Sequence, residues 1–128
     1  MSYYFAKTVH LPFDEAITRV TEELKKEGFG VLTEIDVRAT MKKKLDLDFR
    51  NYRILGACNP PFAHRALMAE DKIGTMLPCN VIVQEHAPGV VEIAAVDPVA
   101  SMAAVDNADL GSIAGEVRSK LQRVVDGV

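Results

Sequence analysis

Apolar residues in this chain repeat at two different spacings, and the alternation between these spacings limits the fold more than any other feature. Aromatic and β-branched residues concentrate from Ser2 to Val9, as in a strand. Pro12 then opens a stretch whose apolar residues recur every three or four positions, the period of a helix with one buried face. This stripe comprises Phe13, Ala16, Ile17, Val20 and Leu24, and a similar one comprises Leu110, Ile113, Ala114, Val117, Leu121 and Val124. An α+β fold is predicted.

The segments between these two helices complete the predicted architecture. Gly28 is predicted to close the first helix. Further strands are predicted over 29–37 and 52–58, with a hairpin over 78–96 that turns at Ala87-Pro88-Gly89, and shorter helices over 39–45 and from Pro60 to a fading end at 71–74. The expected fold is therefore a mainly antiparallel curved sheet with two long helices packed on one face.

Composition narrows the class of protein. A length of 128 residues fits a single domain, 1–128, and the net charge of −3 disfavours a nucleic-acid partner. Apolar tracts fall short of the roughly 18 to 20 residues that cross a bilayer, so no membrane association is expected. The start of the chain does not resemble an export signal, and a cytoplasmic location is predicted. Two cysteines in such a chain are expected to be reduced thiols.

Two short peptides place Cys-Asn beside proline at the predicted ends of strands. Cys58 and Asn59 precede Pro60, and Cys79 and Asn80 follow Pro78. If the strand ending at Cys58 runs antiparallel beside the strand beginning at Cys79, the two sulfur atoms meet at one end of the sheet. His64, in the first turns of the helix after Cys58, is placed to reach the same rim. The asparagines are interpreted first as backbone caps or turn formers.

Three interpretations of these residues remain open. Cys58, Cys79 and His64 have the ligand types that suit a soft metal ion such as copper or zinc, although no CxxC motif is present. Cys58 precedes a helix N-terminus, where partial positive charge favours a reactive thiolate. Cysteines at strand ends are, however, most often ordinary core residues.

Sequence signatures of catalysis are absent. The chain has no glycine-rich phosphate loop, no G-x-S-x-G elbow, no H-E-x-x-H and no dinucleotide fingerprint. His10 and His86 have no evident partner in the neighbouring sequence, and they are interpreted as surface or strand-end residues. Whether the chain is an enzyme stays open.

Three segments together resemble a prokaryotic family known as domain of unknown function 302. They are Gly28-Phe29-Gly30-Val31-Leu32-Thr33-Glu34-Ile35-Asp36-Val37, Tyr52-Arg53-Ile54-Leu55-Gly56-Ala57-Cys58-Asn59-Pro60 and Leu77-Pro78-Cys79-Asn80-Val81. The resemblance covers about 3–125. It implies a sheet-and-helix arrangement similar to that of TATA-binding protein, often found as a homodimer, and it implies no established activity. A fold analogy of this kind does not imply DNA binding.

The leading functional hypothesis is a non-enzymatic module that binds a small ligand or a soft metal ion at the rim formed by Cys58, Asn59, His64, Cys79 and Asn80. The second hypothesis is a thiol-redox protein in which Cys58 attacks and Cys79 resolves through a reversible disulfide. The third is a structural or partner-binding dimer whose exposed sheet surface makes the contact and whose cysteines are buried and inert. Cofactor identity is open, with a soft metal ion as the candidate.

Overall fold

A computed structural model describes residues 2–128. The strands are β1 (Tyr4–Val9), β2 (Gly30–Asp36), β3 (Tyr52–Cys58), β4 (Cys79–Ala87) and β5 (Val90–Val96). The helices are α1 (Phe13–Lys26), α2 (Val37–Leu45), α3 (Pro60–Ala69), α4 (Pro98–Ser101) and α5 (Ala108–Gly127), and a 3₁₀ turn covers Asp71–Met76. Strands and helices alternate along much of the chain, as the two spacings of apolar residues predicted.

All five strands form one antiparallel sheet in the order β1-β5-β4-β3-β2. The strands β4 and β5 form the predicted hairpin, and Gly89 occupies its turn with a φ of 75°. The consecutive strands β1 and β2 lie at opposite edges, so α1 crosses the full width of the sheet between them. The predicted fold class is confirmed.

The helices α1 and α5 cover one face of this sheet. Strand residues alternate between faces, and Leu55, Val81 and Ile93 are among those that meet the helices in the core. The apolar stripe of α1 supplies Ala16, Val20 and Leu24, which are fully buried. Gly28, with a φ of 85°, ends α1 as predicted, because a residue with a side chain rarely adopts that conformation.

The helix α5 packs against both the sheet and the other helices. Its buried side chains follow the predicted stripe and include Leu110, Val117 and Leu121. It contacts α1, α3 and α4 as well as β1 and β5. In residues 2–128 we find no helix that combines the length and the apolar character needed to cross a membrane.

Within residues 2–128, the opposite face of the sheet carries a continuous apolar row that the layer of α1 and α5 does not cover. Pairing register aligns one residue from each strand in this row, in the order Ala6, Ala94, Ile82, Ile54 and Ile35. Ile35 is 48% exposed, and Ile54 and Ile82 are half-buried. We call this surface the open face.

Several predicted boundaries differ from the structure by one or more residues. The prediction placed Val37 in a strand and began the next helix at Ala39, whereas α2 begins at Val37. The carboxylate of Asp36 accepts a hydrogen bond of 2.9 Å from the Ala39 amide, and this N-cap ends the strand earlier. The first strand begins at Tyr4 instead of Ser2.

Candidate functional site

The two cysteines lie at the same end of the sheet. The strands β3 and β4 are antiparallel neighbours in which Ala57 pairs with Cys79, so Cys58 is one position beyond the partner of Cys79. The geometric condition set by the sequence is therefore met. Both thiols are free, with Cys79 buried and Cys58 half-buried. Both also line one cavity.

This cavity lies between the end of the sheet and the helices α3 and α5, and its volume is about 290 Å³. Leu32, which is 67% exposed, and Leu67, which is 43% exposed, stand at its opening to solvent. We call it the apolar cavity because its lining is almost entirely hydrocarbon and sulfur. It is lined by Phe29, Leu32, Ala57, Cys58, Asn59, Phe62, Ala63, Ala66, Leu67, Gly74, Leu77, Pro78, Cys79, Pro98, Met102, Ile113, Ala114 and Val117.

Burial suppresses ionisation of Cys79. The pKa of the Cys79 thiol is raised to about 11. Loss of solvent around the sulfur is the main cause, and the nearby Cys58 makes a smaller contribution. Cys79 therefore carries its proton at neutral pH. A thiolate is the form that attacks disulfides and binds metal ions, so burial works against both roles for Cys79.

The helix after Cys58 offers less to a thiolate than the sequence interpretation assumed. An α-helix normally presents free backbone N–H groups in its first turn. The first two positions of α3 are Pro60 and Pro61, which have no N–H to donate. The helix begins where predicted, but its first turn lacks two of the donors on which a reactive Cys58 would depend.

Asn59 is 7% exposed and occupies the N-cap position of α3, but its side chain does not cap that helix. Its Nδ2 group donates a hydrogen bond of 3.0 Å to the carbonyl oxygen of Glu27. Gly28 makes room for this contact, since a Cβ there would lie 3.3 Å from Nδ2. Asn59 thus fastens the end of α1 to the junction of β3 and α3.

The structure does not bring all five predicted site residues together. His64 is exposed on α3 and lies beside Arg65 and Asp109 in a shallow groove against α5, outside the apolar cavity. Asn80 is exposed and lines a groove on the open face. Within the described residues, no three His, Cys, Asp or Glu side chains group closely enough to hold a metal ion. Cys58, Asn59 and Cys79 alone share the cavity.

Sequence reasoning missed most of the cavity wall. Met102, Ile113 and Val117 come from the last quarter of the chain, and Phe62 comes from α3. The periodic stripe of α5 predicted that Ile113 and Val117 are buried. Periodicity does not indicate which part of a stripe meets a cavity instead of the sheet, because that depends on how α5 crosses α3.

The fold and the cavity together define a class: a small α+β protein with helices on one face of an antiparallel sheet and an apolar cavity at the end of that sheet. The chain belongs to the family described as Domain of unknown function DUF302, whose model matches residues 5–128. This confirms the resemblance carried by the three sequence segments.

A solved structure supports the same assignment. The uncharacterized conserved protein DUF302 from Bacillus stearothermophilus is 31% identical to this chain, and the match covers 98% of each chain with a TM-score of 0.91. No curated protein matches the chain. The comparisons therefore give a family and a fold.

Proposed function

We propose that this protein binds a small, largely apolar molecule in the apolar cavity. The observation that carries the proposal is the lining, in which Asn59 is the only side chain with a nitrogen or oxygen atom. Binding sites for small molecules are typically concave and mostly apolar, with few polar groups. This proposal keeps Cys58, Asn59 and Cys79 from the sequence hypothesis and leaves out His64 and Asn80.

The cavity volume sets the size of the ligand. An apolar cavity of about 150 Å³ stays dry and takes up benzene. The volume here, about 290 Å³, is nearly twice as large and fits a two-ring molecule. Leu32 and Leu67 at the opening provide an apolar path for entry.

The test is a titration with 1-benzothiophene, a neutral two-ring molecule, followed by amide chemical shifts. We expect saturable shifts at residues of the cavity wall. Ala63 lines the cavity from α3, and Ala63→Phe fills it, so this variant should bind at least tenfold more weakly. Ala39→Phe, at an exposed alanine of α2 that does not line the cavity, is the matched control. A wild-type protein without saturable shifts would contradict the proposal.

We also propose that the open face pairs with a second copy of this chain. A row of apolar side chains across five strands, with α1 and α5 on the other face only, supports self-association. Small side chains (Ala6 and Ala94) lie on one side of the central strand β4, and large ones (Ile54 and Ile35) lie on the other.

A two-fold axis parallel to β4 makes this face self-complementary. Such an axis places Ala94 over Ile54 of the second copy and Ala6 over Ile35, so that each small side chain meets a large one. The polar groups of this face are self-complementary about the same axis. Arg50 and Glu92 lie on opposite sides of Gln84 and form hydrogen bonds with it of 2.9 and 2.8 Å. Each guanidinium would then approach the carboxylate of the other copy.

Sedimentation velocity tests the dimer. The wild type should sediment as a species with twice the chain mass of 14.0 kDa. Ile82→Glu, at the centre of the row, should be a monomer because two carboxylates would meet at the axis. Leu47→Glu, in an exposed loop, should leave the dimer intact. A monomeric wild type at tens of micromolar would refute this second proposal.

A further inference from the structure

Among the side chains that line the apolar cavity, only that of Asn59 carries nitrogen and oxygen atoms. Every other lining side chain is a hydrocarbon or contains sulfur, and Cys79 keeps its proton at neutral pH. Any directional contact between a ligand and a side-chain nitrogen or oxygen in this wall must therefore involve Asn59.

The hydrogen bond to Glu27 fixes which end of that amide is available. A backbone carbonyl only accepts, so the group that faces Glu27 at 3.0 Å must be the NH₂ group of Asn59. The carbonyl oxygen Oδ1 is thereby assigned to the other position. Asn59 therefore presents an acceptor, and its orientation is set by the fold before any ligand arrives.

This acceptor has no partner within residues 2–128. Oδ1 of Asn59 receives no hydrogen bond from that part of the chain, although the residue is 7% exposed. In the same range, every side-chain nitrogen or oxygen that is sealed from solvent has a partner. Oδ1 is therefore among the atoms that solvent or a small molecule can still reach, and it is free to accept a hydrogen bond.

We infer that the ligand of the apolar cavity carries a single N–H or O–H group that donates a hydrogen bond to Oδ1 of Asn59. The ligand class is a compact aromatic molecule with one donor, such as an indole or a phenol. This inference rests on the proposed function and adds the polar group by which the cavity selects its ligand.

Two ligands of the same shape test it on the wild-type protein. Indole has one N–H, and 1-benzothiophene replaces that N–H with sulfur while keeping the two fused rings. We expect indole to bind about fivefold more tightly, which corresponds to a net hydrogen bond of about 1 kcal/mol. Indole should also shift the side-chain NH₂ resonances of Asn59 more than 1-benzothiophene does.

Without this hydrogen bond, the order of the two affinities should be reversed. Indole loses its bond to water on entering an apolar site, so without Oδ1 it should bind more weakly than 1-benzothiophene. Equal or reversed affinities would overturn the inference and leave the proposed function intact, whereas failure of both ligands to bind would overturn both. Asn59→Ala should remove the preference for indole, and Asn80→Ala should keep it.

Discussion

Asn59 and Asn80 follow cysteine in similar peptides, yet the structure gives them different tasks. Asn59 is nearly buried and bonds to Glu27, whereas Asn80 is exposed on the open face. A capping or turn-forming role was the first interpretation of both. Asn59 instead contacts the end of α1, 32 residues earlier in the chain. Rules for caps and turns consider only neighbouring residues, so they could not predict this contact.

We therefore expect the two asparagines to differ in their effect on stability. Asn59→Ala should lower the free energy of unfolding by about 1 to 3 kcal/mol, because the Glu27 carbonyl loses its donor. Asn80→Ala should change it by less than about 0.5 kcal/mol, as at other exposed positions. Urea unfolding at neutral pH measures both. Equal effects would show that the contact with Glu27 does not stabilise the fold.

Burial of Cys79 predicts how stability changes at high pH. The pKa of this thiol is about 11 in the folded protein against an ordinary value of 9.0, so the folded state keeps a proton that the unfolded chain releases. The stabilisation is present in full below pH 9 and is lost as the pH rises to about 11. Over that range the loss should be roughly 2 kcal/mol.

The measurement compares urea unfolding of the wild type and of Cys79→Ala at several pH values from 8 to 10.5. The variant carries the other titrating groups, so the difference between the two curves isolates Cys79. We expect the advantage of the wild type to shrink as the pH rises. An advantage that is constant with pH would contradict the assigned burial of the thiol.

At the scale of elements, the sequence predicted what periodicity controls and missed what depends on contacts between elements. The strand at Tyr52–Cys58 and the buried stripe of α5 were predicted with their residues. Gly56 is an example of the second kind: it lies opposite a register shift in β2 between Val31 and Thr33 and allows close approach of Thr33 and Pro78. Sequence spacing carries no information about such an approach.

Gly56 and Gly111 should respond to alanine in opposite ways. A Cβ at Gly56 would collide with Oγ1 of Thr33 and would lie 2.8 Å from Cγ of Pro78, so Gly56→Ala should destabilise the protein by about 1 to 3 kcal/mol. Gly111 lies in α5 with open space around it, and Gly111→Ala should stabilise the helix by up to about 1 kcal/mol. Thermal unfolding measures both. A neutral Gly56→Ala would show that β2 and Pro78 can move apart.

At the scale of the whole molecule, the two proposed binding surfaces belong to different sides of the sheet. The apolar cavity lies on the side of α3 and α5, and the row that contains Ile82 lies on the open face. Four of the five residues predicted as one rim are divided between them, since Cys58, Asn59 and Cys79 line the cavity and Asn80 lies on the open face, whereas His64 lies outside both. Alternation along a strand makes this division unavoidable for adjacent residues.

We expect these two surfaces to act independently. Ile82→Glu should bind 1-benzothiophene with the affinity of the wild type, and the ligand should leave the monomer–dimer equilibrium unchanged. Binding titrations on the variant and sedimentation of the wild type with and without ligand measure the two directions. If dimer formation changed the affinity for the ligand, the ligand would have to change the dimerisation constant by the same factor, because the coupling of two binding equilibria is reciprocal. Either change would contradict independence.

The strand order determines when the first strand can pair during synthesis of the chain. β1 pairs with β5, and Val96 follows its partner Tyr4 by 92 residues. At a translation rate of about 5 to 20 residues per second, β1 waits on the order of 5 to 20 seconds for the strand beside which it belongs. The first strand to leave the ribosome thus finds its neighbour only after nearly the whole sheet has been made.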